Sequence, residues 1–374
     1  MKIYCEDSLL YADEFFSDWG EVFRFSGRTV QAEQLQDADI LLVRSTTQVN
    51  RELIEVCPRL QYVGTATAGT NHMDTDYLSD KGIAWGSAAG CNAIAVAEYV
   101  ISCLFALAGR QGWSVTDKRM GIVGAGHVGT ALARKLSALN IDYLLCDPPL
   151  ADAGDPRNFV GMDAIMDCDI ISLHVPLIRS GHYPTHHLFD AVRLANLSDD
   201  QILINACRGE VIDNRALLEA FKAGRPLQVV LDVWENEPEI LFELIPHLAL
   251  ASAHIAGHTL EGKARGTEML YLQLAPILAR PAKISLPTLL PRPTVPRLHC
   301  QQPDQAGLAS LVFAVYDVRN DDAAFRQGAG TAARFEYIRK HYAIRREFAS
   351  VQVSCGNCAM TEAIYGLGFS PAHI

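Results

Sequence analysis

Apolar positions along this chain cluster into short β-like runs separated by helical patterns. In the first part the runs lie at 3–5, 22–25, 40–44, 60–65 and 83–86. The stretch 50–56 reads as a helix with Asn50 at its N-cap, where a side-chain oxygen can accept from a first-turn backbone N–H. Alternation of this kind predicts βαβ units around a parallel sheet. A long apolar helix follows over 92–109, and Gly109 suits its C-terminal end.

A second alternating block carries runs at 120–123, 143–146, 170–175, 202–205, 229–233 and 248–253. These are rich in Val, Ile and Leu with little alternation, as strands buried on both faces require. A helix over 257–278 then crosses back toward the first domain. Pro281, Pro287, Pro291, Pro293 and Pro296 make the next stretch a stiff, extended connector, because proline cannot sit in a helix interior. Beyond it a small α+β unit is expected, with strands at 308–318 and 348–354 and helices at 332–342 and 360–366. The expected class is α/β, with two doubly wound parallel-sheet domains and a small C-terminal α+β domain. The boundaries fall at 1–92 with 255–280, at 93–254 and at 281–374.

At 374 residues the chain is too long for one ordinary core. Its formal charge of −11 argues against a general nucleic-acid binder, which needs clustered Lys and Arg for phosphate. A local basic pocket for a small acidic substrate remains compatible with that charge. The opening Met1-Lys2-Ile3-Tyr4-Cys5 reads as a strand and has no signal-peptide pattern. The most apolar stretch, 94–108, falls short of a membrane span and contains Glu98, so it reads as a buried helix. Ten cysteines, mostly inside apolar runs, read as free buried thiols in a reducing cytoplasm.

Gly124-Ala125-Gly126-His127-Val128-Gly129 fits G-x-G-x-x-G. The motif alone is a weak signal. Here it follows the run 120–123 and opens a helical pattern over 128–139, the context that dinucleotide binding demands. Gly124 would make the tight turn, Gly126 would let backbone approach a pyrophosphate, and Gly129 would let helix and strand pack closely. Asp147 ends the next strand about 20 residues on, where a carboxylate accepts from ribose hydroxyls and repels a 2′-phosphate. The second domain is therefore expected to be Rossmann-like and to take NAD rather than NADP.

Three further strand ends carry an arginine, an acid and a histidine. The run 202–205 leads into Ala206, Cys207 and Arg208; 229–233 leads to Glu237; 248–253 leads to His254. Ligands of open α/β sheets sit beyond such carboxyl ends. The planar fork of Arg208 matches a carboxylate, and an imidazole takes a proton near neutral pH. A neighbouring carboxylate, Glu237, would fix the tautomer of His254 and stabilise its imidazolium. The set fits oxidation of a small 2-hydroxy acid.

The segment Asn205-Ala206-Cys207-Arg208-Gly209-Glu210-Val211-Ile212-Asp213, with Glu237-Pro238 and His254-Ile255-Ala256-Gly257, resembles the D-2-hydroxyacid dehydrogenase family. The runs at 63–70, 91–96, 146–149 and 254–266 extend the resemblance over essentially the whole chain. It implies a first, substrate-binding domain, a NAD-binding second domain and a C-terminal dimerisation domain. Arg208, Glu237 and His254 then correspond to catalytic residues. Asp147, Val175, Ala206, Cys207, Arg208, Asp232 and Gly257 correspond to NAD contacts. Ser45, Thr67 and His258 correspond to contacts of a small phosphorylated 2-hydroxy acid, and His258 stands where related sequences often have Tyr. For the substrate phosphate, Arg44 is the first candidate, followed by Arg345 or Arg346 reaching over from a partner subunit. The resemblance thus implies a homodimer with no membrane or nucleic-acid partner.

Two other readings use the same residues. One is a sibling such as a phosphoglycerate dehydrogenase with a regulatory C-terminal unit; the other is a catalytically silent NAD-sensing protein. No metal is expected. Cys355-Gly356-Asn357-Cys358 lacks a second pair for a four-ligand zinc site, and His182, His186 and His187 read as a polar surface loop.

Overall fold

The computed structural model describes residues 1–301, 304–356 and 361–372. It divides into two compact units, residues 1–92 with 259–292 and residues 93–258 with 293–374. The segment from 293 onward falls in the same compact unit as the glycine-rich motif.

The first unit holds a five-stranded parallel sheet of β1 (Lys2–Glu6), β2 (Glu21–Phe25), β3 (Ile40–Val43), β4 (Tyr62–Thr65) and β5 (Ala84–Ser87). Their order is β2-β1-β3-β4-β5. The helix Leu260–Ile277, capped by Thr259 Oγ1 on Gly262 N, packs Ala264, Leu270, Tyr271 and Leu274 against this sheet. The order reverses between β1 and β3, so the crevice for a ligand lies beyond their carboxyl ends.

The second unit builds a six-stranded parallel sheet from β6 (Arg119–Val123), β7 (Asp142–Cys146), β8 (Ile170–Leu173), β9 (Ile202–Asn205), β10 (Gln228–Leu231) and β11 (Leu250–Ala251). Its order is β11-β10-β9-β8-β6-β7, with the reversal between β6 and β8. Both sheets have the doubly wound, Rossmann-like form expected from the unbroken apolar runs. A third, small parallel sheet joins β12 (Arg297–Cys300), β13 (Gln352–Cys355) and β14 (Ser370–Pro371) in the order β12-β13-β14.

The helix Ala93–Gln111 has the length and apolar character of a membrane span, but nearly all of it from Ala95 to Ala108 is buried. It forms the centre of a core that also takes in Ile122, Ile204, Val312, Phe348 and Val353.

The strand expected at 308–318 is instead the helix Gln305–Val315. Asp304 caps it, its Oδ1 accepting from Gly307 N at 2.8 Å. A short continuous apolar run does not distinguish a buried strand from a buried helix by periodicity. The strand expected at 348–354 opens as the 3-10 turn Phe348–Ser350 before β13 begins. The run at 248–253 forms a strand of only two residues, Leu250–Ala251, although backbone bonds to β10 continue on either side, from Ala249 N to Val229 O and from Ser252 N to Leu231 O. The expected helix start at Met360 lies outside the described residues, and the helix is described over Thr361–Gly366.

Candidate active site

The glycine loop sits at the reversal of the second sheet. Gly124 has φ +92°, and a Cβ there would come within 2.5 Å of the His174 carbonyl oxygen at the end of β8. No side chain fits both demands, so glycine is required. Gly126 opens the helix His127–Ala138, and a Cβ on it would meet nothing within 4 Å. That face of the loop is open to a ligand. A Cβ on Gly129 would fall 2.1 Å from Gly124 O, which fixes the close packing of helix on strand. An open cavity of about 400 Å³ borders the loop, lined by Ala125, Gly126, His127, Thr130 and Arg134 among others. Asp147 closes the loop from β7, its Oδ2 accepting from Ala125 N at 2.8 Å and its Oδ1 from Leu150 N at 3.1 Å. Each oxygen keeps acceptor capacity for a ribose hydroxyl. These features fit NAD. Gly129→Ala is expected to weaken NAD binding at least about tenfold and to lower Tm by several degrees, since backbone must move to admit the methyl. Fluorescence titration and a melt would check this.

Arg208, Glu237 and His254 all belong to the second unit. His254 Nδ1 lies 2.7 Å from Glu237 Oε2. A carboxylate only accepts, so Nδ1 carries the proton and the other ring nitrogen, Nε2, is the free base of the neutral ring. Glu237 Oε1 accepts from Trp234 N at 3.0 Å. Burial would push the Glu237 carboxyl up. The charge and hydrogen bond of His254, the Arg339 guanidinium and the Trp234 N–H outweigh it and hold the group below the usual carboxylate range.

The His254 backbone is in the left-handed region, with φ +56°, and its N–H donates to Asp232 O at 2.6 Å. Asp232 holds the next two residues. Its Oδ1 accepts from Ile255 N and from the Ser252 hydroxyl, and its Oδ2 from Ala256 N. The Ser252 proton is thereby used, so Tyr99 O–H must be the donor across the 2.9 Å between Tyr99 and Ser252. Arg345 grips the same loop from behind, its Nη1 donating to Ala256 O at 3.0 Å and its Nη2 to Ala95 O at 2.7 Å. Its guanidinium stacks 3.5 Å from the Tyr316 ring centroid. Arg345 is buried within its own chain and serves the His254 loop, which corrects its assignment as a phosphate ligand from a partner subunit.

Arg208 is half-buried at the end of β9. Fully buried Asn205 fixes the turn that presents it, donating from Nδ2 to Arg208 O at 2.9 Å and accepting at Oδ1 from Cys207 N at 3.2 Å. Burial pushes the Cys207 thiol up to about 11, so its sulfur is inert near neutral pH and its backbone is what the turn uses. Val175 follows β8 beside His174, and Ala206 lies in the same turn as Arg208. His258 N donates to Ile255 O at 2.8 Å, which continues the loop through Gly257. His186 and His187 come together with Glu235, with possible ligand atoms within 4.8 Å of one another. The 2.7 Å bond from His187 Nε2 to Glu235 Oε1 braces the segment that carries Glu237. Cys358 lies outside the described residues.

In the first unit, the buried carboxylate of Glu6 ends β1 and organises the loop after β3. Its Oε2 accepts from Arg44 N at 2.8 Å and Thr47 O–H at 2.6 Å, and its Oε1 from Thr46 O–H at 2.7 Å. That loop presents Arg44 and exposes Ser45. Thr67 donates to Gly69 O at 2.9 Å and pairs with Thr65 Oγ1 at 2.7 Å. Burial lowers the Lys263 ammonium, and the nearby positive charge of Arg44 lowers it further. The sequence reading missed Glu6, Asn205, Lys263 and Arg339. Asn205 opens the segment that carries the family resemblance, Lys263 lies in the run 254–266 that extends it, and Glu6 is a charged residue closing an apolar strand.

Glu6 carries a pH-linked prediction. Burial would raise its carboxyl, but bonds from Ser8, Thr47, Thr46 and the Arg44 N–H hold it below the ordinary range. Its contribution is therefore present above the unfolded value of about 4.3 and lost as pH falls through the folded value. Glu6→Gln is expected to cost about 2–3 kcal/mol near neutral pH. Melts across pH should show the gap between variant and wild type closing in acid.

Residues 105–256 match the NAD binding domain of D-isomer specific 2-hydroxyacid dehydrogenases, and residues 289–368 match a domain of unknown function. The erythronate-4-phosphate dehydrogenase of Pseudoalteromonas atlantica is 58% identical over 372 residues, covering 99% of this chain and 100% of that protein. That of Cronobacter sakazakii is 48% identical over 375 residues, covering 100% and 99%. Among solved structures, NAD+-bound 3-phosphoglycerate dehydrogenase of Entamoeba histolytica gives a TM-score of 0.62 at 22% identity, over 76% of this chain and 98% of that one. That likeness establishes the fold. With full-length identity well above what a shared fold alone produces, the chain belongs to the erythronate-4-phosphate dehydrogenase family of D-2-hydroxyacid dehydrogenases.

Proposed function

We propose that this chain oxidises 4-phospho-D-erythronate to 2-oxo-3-hydroxy-4-phosphobutanoate with NAD, a step of vitamin B6 (pyridoxal phosphate) biosynthesis. The observation that carries the chemistry is the 2.7 Å bond between His254 Nδ1 and Glu237 Oε2, which leaves Nε2 as a proton acceptor. NAD, held by Gly124, Gly126, Gly129 and Asp147, supplies the hydride acceptor when bound. Val175, the Ala206-Cys207-Arg208 turn, Asp232 and Gly257 complete its binding surface in this reading. His254 takes the hydroxyl proton, and Glu237 steadies the imidazolium that results. Arg208 holds the substrate carboxylate with its two-pronged guanidinium.

Ser45, Thr67 and His258 take the remaining substrate contacts. Arg44 with Lys263 suits the phosphate, because an anion relieves two neighbouring positive charges. The chain acts as a homodimer in the cytoplasm, with 281–374 as its dimerisation segment. The free, buried thiols of Cys5, Cys57, Cys103, Cys146, Cys168 and Cys207 support a reducing compartment.

NADH formation followed by absorbance with 4-phospho-D-erythronate, 3-phosphoglycerate and D-lactate tests the assignment. Turnover confined to the first supports it. Preference for either of the others would keep the hydride-transfer mechanism and remove the named substrate.

A further inference from the structure

We infer that Arg339, on the helix Ala332–Lys340, is a positioning residue for proton transfer, its charge beside Glu237 keeping the His254–Glu237 pair ready to accept a proton. The inference rests on the reading of His254 as the base. It gives the segment that matches a domain of unknown function a part in the chemistry.

Packing puts the guanidinium there. Phe335 is fully buried and meets Phe325 edge-on at 5.9 Å between ring centroids, and Phe325 meets Trp234 at 5.4 Å. Trp234 is in turn pinned by Nε1 on Ser252 O at 2.9 Å. Arg339 stands four residues after Phe335, so both share one helix face. Once Phe335 docks, Arg339 Nη1 reaches 3.9 Å from Glu237 Oε2. That oxygen also accepts from His254 Nδ1.

One carboxylate oxygen thus faces two cations whenever His254 is protonated. Arg339 already satisfies part of its charge, so this oxygen favours an imidazolium less than it would alone. Charged groups described on the adjoining segments have partners of their own. Asp232 holds Ile255 N, Ala256 N and Ser252; Arg345 holds two carbonyls; Glu235 holds His187 and Asn214 N; Arg208 Nη1 holds Cys207 O.

The test is the pH profile of kcat/KM for the full-length protein with NAD and 4-phospho-D-erythronate. Arg339→Gln should move the acid limb up by about half a pH unit and Arg339→Glu by about one, a modest shift because the side chain is partly solvated. Arg339→Lys should restore the wild-type limb, and high salt should carry wild type toward the Gln variant. Gln and Glu variants that fold, bind NAD and titrate like wild type would overturn the inference. A lower plateau without a moved limb would overturn it as well, since it would mark a merely structural contact. His254→Ala separates the two levels. If it keeps turnover, the proton-transfer reading itself fails; if it is inactive while Arg339 variants titrate normally, only the role of Arg339 fails.

Discussion

Replacing His254 by alanine is expected to lower kcat by about 10²–10⁴-fold, the usual range for a lost general base. The dissociation constant for NAD should stay within about twofold, because the glycine loop that binds it is built from β6 and its helix. The two readouts separate chemistry from folding. His254 sits at φ +56°, a conformation alanine adopts less readily than asparagine. His254→Asn is therefore the companion variant, keeping the loop while removing the base. Glu237→Gln should cost less, about 10–100-fold, since its amide oxygen can still orient Nδ1–H but brings no charge to the imidazolium. Turnover within a few-fold of wild type in both His254 variants would remove the histidine from the mechanism.

The parts of this site legible in the sequence share one property, a position at the carboxyl end of an apolar run. Gly124, Arg208, Glu237 and His254 each follow a strand whose buried faces leave an unmistakable Val, Ile and Leu pattern. Asp232 was legible as a strand-end acid but assigned only a cofactor contact; its hydrogen bonds to Ile255 and Ala256 depend on β10 pairing with β11. Glu6 and Arg44 are 38 residues apart and meet only because β1 pairs with β3. Arg345 and Arg339 look like surface charge in the sequence. One is buried against carbonyls 89 and 250 residues away, and the other reaches Glu237 through the docking of Phe335. The helix Gln305–Val315 was misread because an apolar segment can be buried in either form. Local pattern records which face is buried, and it carries no record of what that face meets.

The second large effect is expected at Arg208, where methionine should reduce kcat/KM by about 10³-fold, through loss of the charge-assisted pair with the substrate carboxylate. Lysine should recover at most about tenfold of that loss, because its point charge cannot reproduce the planar fork. The expectation follows from how tightly this arginine is presented. Asn205 ties both ends of the turn, and the guanidinium Nη1 donates to Cys207 O at 2.7 Å, which leaves its remaining donors for a ligand. The following Gly209 is packed so closely that a Cβ would lie 1.9 Å from the Trp234 carbonyl carbon. The turn that carries Arg208 therefore rests directly on the segment that carries Glu237. Asn205→Ala tests that linkage without altering any charge. It should raise KM and lower kcat together, by about an order of magnitude each, since a loosened turn misplaces the carboxylate clamp relative to the base. If Asn205→Ala leaves both constants unchanged, the turn holds Arg208 by backbone packing alone, and the arginine's effect is one of charge rather than of fixed geometry.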